Sequence, residues 1–322
     1  MSPPGNAVRG ASAGPTATAD AAVPEARSTV VALYAGALAR DKVTLVAFLF
    51  LIVLLLAAVF APFVAPFDPE EQSLMLRNQP PLTEAEDGGA ISHLLGTDQL
   101  GRDLLSRLIY GARISLAVGF ASVFFSGTIG VVLGLVAGYY RGVVDDVIMR
   151  LVDTQMGFPS LLMALVVLYV IGAGVWNVVL VLAITRWMVY ARVTRSLVLS
   201  NRENVYVEAA RALGSSDRRI LFLHILPNLL SPLLILATLE VGTMILTEAS
   251  LSFLGLGIQP PQSSWGLMLA QGRGYITTAW WLVTFAGLTI LFTVLSLNLL
   301  ATWARAVTDP VTRWRYLMPK RQ

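Results

Sequence analysis

Side chains able to carry covalent or metal chemistry are scarce in this chain. Cysteine is absent, which removes disulfides, thiolate nucleophiles and iron–sulfur ligation. The two histidines, His93 and His224, lie far apart without the spaced acidic or cysteine partners of a metal site, so each reads as a hydrogen-bonding residue. There is no Gly-rich loop ending in Gly-Lys-Ser/Thr to cradle nucleotide phosphates, and no nucleophile has a base at motif spacing. The expectation is a protein that is not an enzyme and binds no cofactor or metal. The ionisable residues with most leverage are Arg186 and Glu240, each set in an otherwise apolar run. A charge near mid-bilayer costs several kcal/mol unless paired or hydrated, which makes both functional candidates. Two placements are open. Adjacent antiparallel spans bring the two to overlapping depths, facing each other or a shared aqueous path; alternatively, Arg186 snorkels to the cytoplasmic interface.

Composition says what kind of scaffold must position such residues. Of the 322 residues, 56% are hydrophobic and 13% charged, against about 25% charged in a soluble domain, so the chain belongs in lipid. The net charge of +3 could suggest nucleic acid, but the basic residues sit in blocks between apolar runs and read as topology signals, with no nucleic-acid partner. Apolar runs long enough for about 30 Å of hydrocarbon give six spans. They are Val43 to Phe63, Ile114 to Tyr139, Phe158 to Ile171, Val175 to Tyr190, Asn228 to Leu246 and Trp280 to Trp303. The third and fourth form a tight hairpin around Gly172, Ala173 and Gly174. All must be helices, since backbone groups in lipid have to be paired within their own segment. The fold class is therefore an all-α polytopic membrane protein.

Most Lys and Arg fall in the stretches that share a side with both termini, which places the termini in the cytoplasm. Residues 1–28 read as a disordered cytoplasmic tail, 29–66 as the region of the first span, 67–113 as an external loop, 114–306 as the main body with spans two to six and 307–322 as a second cytoplasmic tail. The external loop closes on Leu100, Leu104, Leu105, Leu108 and Ile109 at helical spacing after the candidate caps Thr97 and Asp98, with Asp103 and Arg107 as an i, i+4 pair. That pattern predicts a helix lying on the outer surface. In the second span Ser122, Ser126, Gly130, Gly134 and Gly138 recur every four residues. Such a small-residue stripe marks where another helix comes close, first within the bundle and second at a subunit contact.

The polar segment from about Arg192 to Pro227 is too long for a turn and predicts two short helices meeting at Gly214, the second capped by Ser215 and Ser216. Projecting from the membrane, they could dock into a partner. Here Glu208-Ala209-Ala210, three residues, Gly214, nine residues and His224-Ile225-Leu226-Pro227 resemble the EAA loop of ATP-binding-cassette importer permeases. A second stretch, His93 to Arg107, carries Gly96-Thr97-Asp98 and Gly101-Arg102-Asp103 and resembles the extracytoplasmic signature of the C-type permease of dipeptide, oligopeptide, nickel and glutathione importers. A third runs from Glu248 through Leu251-Ser252-Phe253, Gly255, Gly257, Pro260-Pro261 and Trp265, and resembles the same subfamily.

The resemblance, over about residues 35 to 310, implies a type I importer permease fold in the bacterial cytoplasmic membrane. It implies a B-type permease as heterodimer partner, cytosolic ATPase subunits and an extracytoplasmic solute-binding protein. It also implies that Glu208, Ala209, Ala210, Leu213, Gly214 and Asp217 form the loop through which ATP hydrolysis elsewhere drives alternating access. From the residues themselves, the third stretch reads either as an outer gate and docking surface or as a lid that packs the end of the bundle. The chain departs from the family pattern after the last span, where Ala301, Thr302, Arg305 and Ala306 precede Asp309-Pro310. An ion-coupled secondary transporter is the rival reading.

Overall fold

The computed structural model describes residues 26–84 and 92–309. The expected N-terminal tail lies outside the described residues as far as 25. From there α1 (Ala26–Arg40) is already helical, so the helical region begins earlier than residue 29. Asp41 breaks the chain and caps α2 (Lys42–Val59), its carboxylate accepting the Thr44 N–H at 3.3 Å and the Thr44 hydroxyl at 2.8 Å. At about 1.5 Å per residue these 18 residues span about 27 Å, one bilayer core. A short α3 (Ala61–Val64) carries Pro62 in its first turn and delivers the chain to the outer loop.

The predicted surface helix before the second span does not form. Gly101 adopts φ +79°, and Asp98 spends one carboxylate oxygen on the N–H groups of Leu100 (2.8 Å) and Arg102 (3.0 Å), so residues 98–103 fold as a tight turn. The cap is Asp103, which accepts the Ser106 N–H at 2.7 Å and starts α4 (Leu104–Tyr140). The leucines at helical spacing from Leu104 onward are the first turns of this 37-residue helix. A two-residue antiparallel ladder, β1 (Thr83–Glu84) with β2 (Ser92–His93), is the minor exception to an all-helical chain.

After α4, α5 (Gly142–Met156) and α6 (Ser160–Ile171) meet at an 88° bend across Gly157-Phe158-Pro159. Twelve residues of α6 reach only about 18 Å, too short to cross a bilayer alone, so the expected third span is replaced by a bent α5–α6 pair with the shape of a broken span or a re-entrant loop. α7 (Val175–Asn201) runs well past the predicted end of the fourth span. α8 (Val205–Ala212) follows, and then α9 (Asp217–Arg219), a π-helical turn (Ile220–Ile225) and α10 (Leu226–Phe253) form one continuous helical run. The second predicted loop helix is thus the root of the fifth span, and Ser216 precedes it without donating or accepting a cap bond. α11 (Trp265–Gly272) and α12 (Trp280–Thr308) complete the bundle. Among the described residues, five helices are long and apolar enough to cross a membrane, and six spans result when the bent α5–α6 pair counts as one. Residues 310–322 of the expected C-terminal tail lie outside the described residues.

The small-residue stripe is the bundle's main seam, and its partner is α7 of the same chain. A methyl group on Gly134 would stand 2.5 Å from the Ala191 carbonyl oxygen and 2.7 Å from Thr194 Cβ; on Gly138 it would stand 2.8 Å from Val198 Cβ. Gly130 is occluded in the same way by the backbone at Trp187 and by Tyr190 Cβ. Ser122 and Ser126 continue the stripe, both fully buried. Helix backbones in lipid come this close only where side chains are missing.

This seam makes a graded expectation. Gly134→Ala forces a Cβ into backbone and lowers stability by about 1–3 kcal/mol, the usual cost of overpacking. Gly127→Ala, whose added carbon meets the Tyr190 ring at an ordinary 3.5 Å, leaves thermal stability in detergent nearly unchanged. Equal melting temperatures for the two variants would contradict the seam.

Candidate functional site

The segment between α7 and α10 is held by its own apolar core. α8 turns Val207 and Ala210 inward, where they meet Leu135 and Tyr139 of α4, Val198 of α7, Ile220, Leu221 and Ile225 of the π turn, and Leu229 of α10. The helix stops at Gly214 because the backbone there turns left-handed (φ +79°), which only glycine adopts without strain. The Gly214 N–H then bonds the Arg211 carbonyl and the Ser215 N–H bonds the Ala210 carbonyl, both at 3.0 Å, which satisfies two of the helix's terminal acceptors. Among the described residues, nothing beyond its chain neighbours lies within 4 Å of where a Gly214 side chain would stand.

This geometry divides the predicted loop residues. Glu208, Ala209 and Gly214 face outward, and Leu213 is 87% exposed with Val205 at 79%. Ala210 packs inside, and Asp217 is bound to Tyr139. The Tyr139 hydroxyl donates to Asp217 Oδ1 at 2.6 Å and accepts from Arg211 at 3.5 Å, and the Arg202 guanidinium bonds the Tyr139 carbonyl. The Arg202 and Arg211 guanidinium carbons also lie 5.8 and 6.0 Å from the ring centre, within cation–π range. Tyr139 is thus the anchor of the loop. It escaped the sequence reading because the end of an apolar span is where an interfacial tyrosine is expected anyway.

Within the bundle, Arg186 of α7 and Glu240 of α10 form a forked pair. Arg186 Nε lies 2.9 Å from Oε2, and its terminal nitrogen lies 2.8 Å from Oε1 and 2.7 Å from Oε2. Glu240 is buried and the Arg186 side chain is 21% exposed, so Arg186 points inward to its partner rather than to an interface. A planar guanidinium matching both carboxylate oxygens is the geometry in which such a pair offsets the loss of water.

At the opposite end of the bundle from α8, the signature residues build a knot that ties the loop between α3 and α4 to the bundle. Asp98 takes the Arg102 guanidinium on its second oxygen at 2.8 Å and the Arg107 guanidinium on the same atom, and Arg107 reaches on to Gln271 at 3.2 Å. The expected Asp103–Arg107 side-chain pair is absent because Asp103 is already committed. One of its oxygens faces His93 Nδ1 at 2.9 Å and the other accepts both the N–H and the hydroxyl of Ser106 at 2.7 Å. Thr97 accepts the Gln79 N–H at 2.9 Å, donates to the Leu76 carbonyl, and offers its own carbonyl to the Trp281 indole at 3.2 Å. Gly96 (φ +83°) and Gly101 leave no room for a side chain against Gln79 and Ser73.

The segment after α10 has a buried half and an exposed half. Leu251, Ser252 and Trp265 are fully buried, while Phe253, Pro260 and Pro261 face outward. Gly255 (φ +86°) closes α10, with the Leu256 N–H on the Leu251 carbonyl and its own N–H on Ser252. Gly257 rests against the Ser252 backbone. The two glycines therefore end the helix instead of loosening it. The organiser here is Glu248, fully buried, with Oε1 accepting the hydroxyls of Ser252 (2.7 Å) and Ser264 (3.0 Å) and Oε2 facing Ser115 (3.4 Å). The Ser115 hydroxyl also accepts the Trp265 N–H at 3.2 Å, and the Trp265 indole bonds the Leu108 carbonyl at 3.0 Å. α10 runs on to Phe253, beyond the Leu246 expected from hydropathy, and so carries Glu248 as a further charge within the helix.

The arrangement of helices is a fold shared with a solved inward-facing structure of the methionine ABC transporter MetNI, which matches with a TM-score of 0.53 at 21% identity, covering 64% of this chain and 97% of its own. The chain belongs to the family of binding-protein-dependent transport system inner membrane components, whose description matches residues 130–314. Residues 36–81 further match the N-terminal transmembrane domain of oligopeptide transport permease C. Among relatives, the di/tripeptide transport system permease of Pseudomonas aeruginosa is 45% identical over 84% of this chain and 89% of its own. The glutathione transport system permease of Escherichia coli is 41% identical over 84% and 87%. The protein is therefore a multi-pass inner-membrane permease of an ATP-driven importer, and the ion-coupled secondary transporter is set aside.

Two outcomes follow from the geometry. Asp98→Asn leaves Arg102 and Arg107 short of a counter-charge and costs about 3–5 kcal/mol, read as a lowered unfolding midpoint with faster proteolysis of the outer loop. Tyr139→Phe removes the hydroxyl shared by Asp217 and Arg211 and costs about 1.5–3 kcal/mol locally. Hydrogen exchange should accelerate across residues 205–219 while α4 and α7 within the bundle keep their protection, and an unchanged loop would show that Tyr139 is no anchor.

Proposed function

We propose that this chain is the C-type half of a heterodimeric pore for short peptides, with ATP hydrolysed on separate cytosolic subunits that engage the loop at residues 205–219. The observation that carries the reading is Leu213. A leucine 87% exposed at the tip of a helix, beside exposed Glu208, Ala209 and Gly214, is poorly matched to water but well suited to a groove in another protein. The loop keeps its shape without that partner because Val207, Ala210 and the π turn supply its core. A push on its tip is then transmitted as a rigid-body displacement to α7 and α10, from which it is suspended.

The same reading puts both termini in the cytoplasm, as the distribution of Lys and Arg favours. It puts the knot around Asp98 and the exposed Phe253–Pro261 edge on the outer side, where a binding protein delivers solute. Peptides are the favoured cargo because the relative at 45% identity is named for di- and tripeptides, and the cargo named for the relative at 41%, glutathione, is itself a tripeptide. A B-type permease completes the pore. The roles given to Glu208, Ala209, Leu213 and Gly214 as the docking surface, and to Ala210 and Asp217 as its internal supports, belong to this proposal.

The test is Gly214→Asp in the assembled complex in proteoliposomes, with membrane insertion verified. Because no described residue beyond its chain neighbours occupies the space beside Gly214, the new side chain acts on the partner and on the left-handed turn. Binding-protein-stimulated ATP hydrolysis and peptide uptake should fall together by about tenfold or more, the scale of a lost coupling free energy. Wild-type rates in the variant would remove the loop from the coupling path.

A further inference from the structure

α7 and α10 are the two helices from which the loop hangs, and their main neighbours differ. α7 is seated chiefly on α4 along the glycine seam, whereas α10 packs chiefly on α12 and α4, then on α11, and more lightly on α7 itself. Between them, among the described residues, the side-chain polar link within the bundle is the forked Arg186–Glu240 pair. Its position along the helices is matched. Arg186 stands fifteen residues before the end of α7 at Asn201, and Glu240 stands fourteen after the start of α10 at Leu226. At about 1.5 Å per residue, Arg186 lies about 23 Å before the end of α7 and Glu240 about 21 Å beyond the start of α10, so the pair is a rung across the helical hairpin, set well back from the loop.

The base of that hairpin is closed as well. Tyr139 holds Arg202 beyond the end of α7, Arg211 of α8 and Asp217 at the start of the run into α10. A segment pinned at its base and again well up both helices is held against splaying when its tip is displaced. Tyr190, one turn beyond Arg186, is fully buried with its ring against Gly127 and its Cβ against Gly130 of α4. The rung is thereby continuous with the seam.

We infer that Arg186 and Glu240 are positioning residues for transport: a staple, closed throughout the cycle, that makes α7 and α10 move as one body when the loop is driven. The inference rests on the coupling-loop reading above. It differs from a latch, which would have to open in each turnover, and from a solute or ion site, which would need the pair free to exchange partners.

The absence of cysteine makes the test clean in this subunit. Arg186→Cys and Glu240→Cys are combined in the full complex, which is reconstituted with and without a bifunctional thiol reagent matching the length of the bridge, with wild type treated identically. Uncrosslinked, the double variant should keep binding-protein-stimulated ATP hydrolysis but lose about tenfold in peptide transported per ATP. Crosslinking should restore that ratio. Uptake that stops on crosslinking would show that the pair opens during transport, and a wild-type ratio without the crosslink would show that it does not matter; either overturns the staple. If the cysteine pair fails to assemble, Arg186→Glu alone and combined with Glu240→Arg take its place: a ratio lost in the single variant and restored in the double supports the staple, and a wild-type ratio in Arg186→Glu alone overturns it. Failure of the loop reading is distinct, because Gly214→Asp would then transport normally whatever the pair does.

Discussion

Lipid offers helices little reason to associate, because an apolar side chain gains almost nothing by leaving hydrocarbon for another apolar side chain. Close backbone approach is what remains, and in this permease it is concentrated along one line. Gly130, Gly134 and Gly138 of α4 receive the backbone of α7 at Trp187, Ala191 and Arg195, with Ser122 and Ser126 extending the line outward. Nearly every feature with a functional meaning is suspended from that seam. α4 carries the outer knot at its first turn and Tyr139 at its last, and α7 carries Arg186 and leads into the loop.

The ionisable groups divide by what they fasten. At the outer end, Asp98, Asp103, Arg102 and Arg107 fasten a loop without regular structure to the start of α4, and their burial is tolerable because each carboxylate oxygen has a donor. Glu248 does the same for the α10–α11 corner with three hydroxyls. Arg186 and Glu240 fasten α7 to α10, which otherwise pack more heavily on α4 and α12. Toward the C-terminal end of α7, Arg192 and Arg195 reach Asp153 and Asp145 of α5, which holds the bent pair against the seam.

Much of this was legible in the sequence, for physical reasons that can be named. The spans follow from hydropathy because lipid forces helicity, and the seam follows from a four-residue period of small residues. Arg186 and Glu240 stood out because charges are costly in apolar runs. The outer helix was misread because leucine spacing is blind to a left-handed Gly101 and to an aspartate that captures N–H groups before a helix can use them. The break placed after Gly214 was half right: α8 does end there, but Arg218 and Arg219 hide that the following run is continuous with the fifth span. Glu248 and Tyr139 were passed over because each stood at a span boundary drawn too short or too conventionally. The polar partners of a residue are long-range facts, and Tyr139 with Asp217 or Ser115 with Glu248 leave no local pattern to read.

The loop's construction also bears on how force could pass through it. Had α8 been an isolated amphipathic helix, displacement of Leu213 would be absorbed by local unfolding, since eight residues cannot sustain a helix alone. Instead Val207 and Ala210 are inserted between the ends of α4, α7 and α10, and Tyr139 gathers charges from three sides of the same junction. The tip is exposed and its root is as firmly packed as the bundle. Stiffness at the root and apolar exposure at the tip are different demands on one short sequence. Alternating inward and outward residues on α8, with glycine where the chain must turn left-handed, meets both at once.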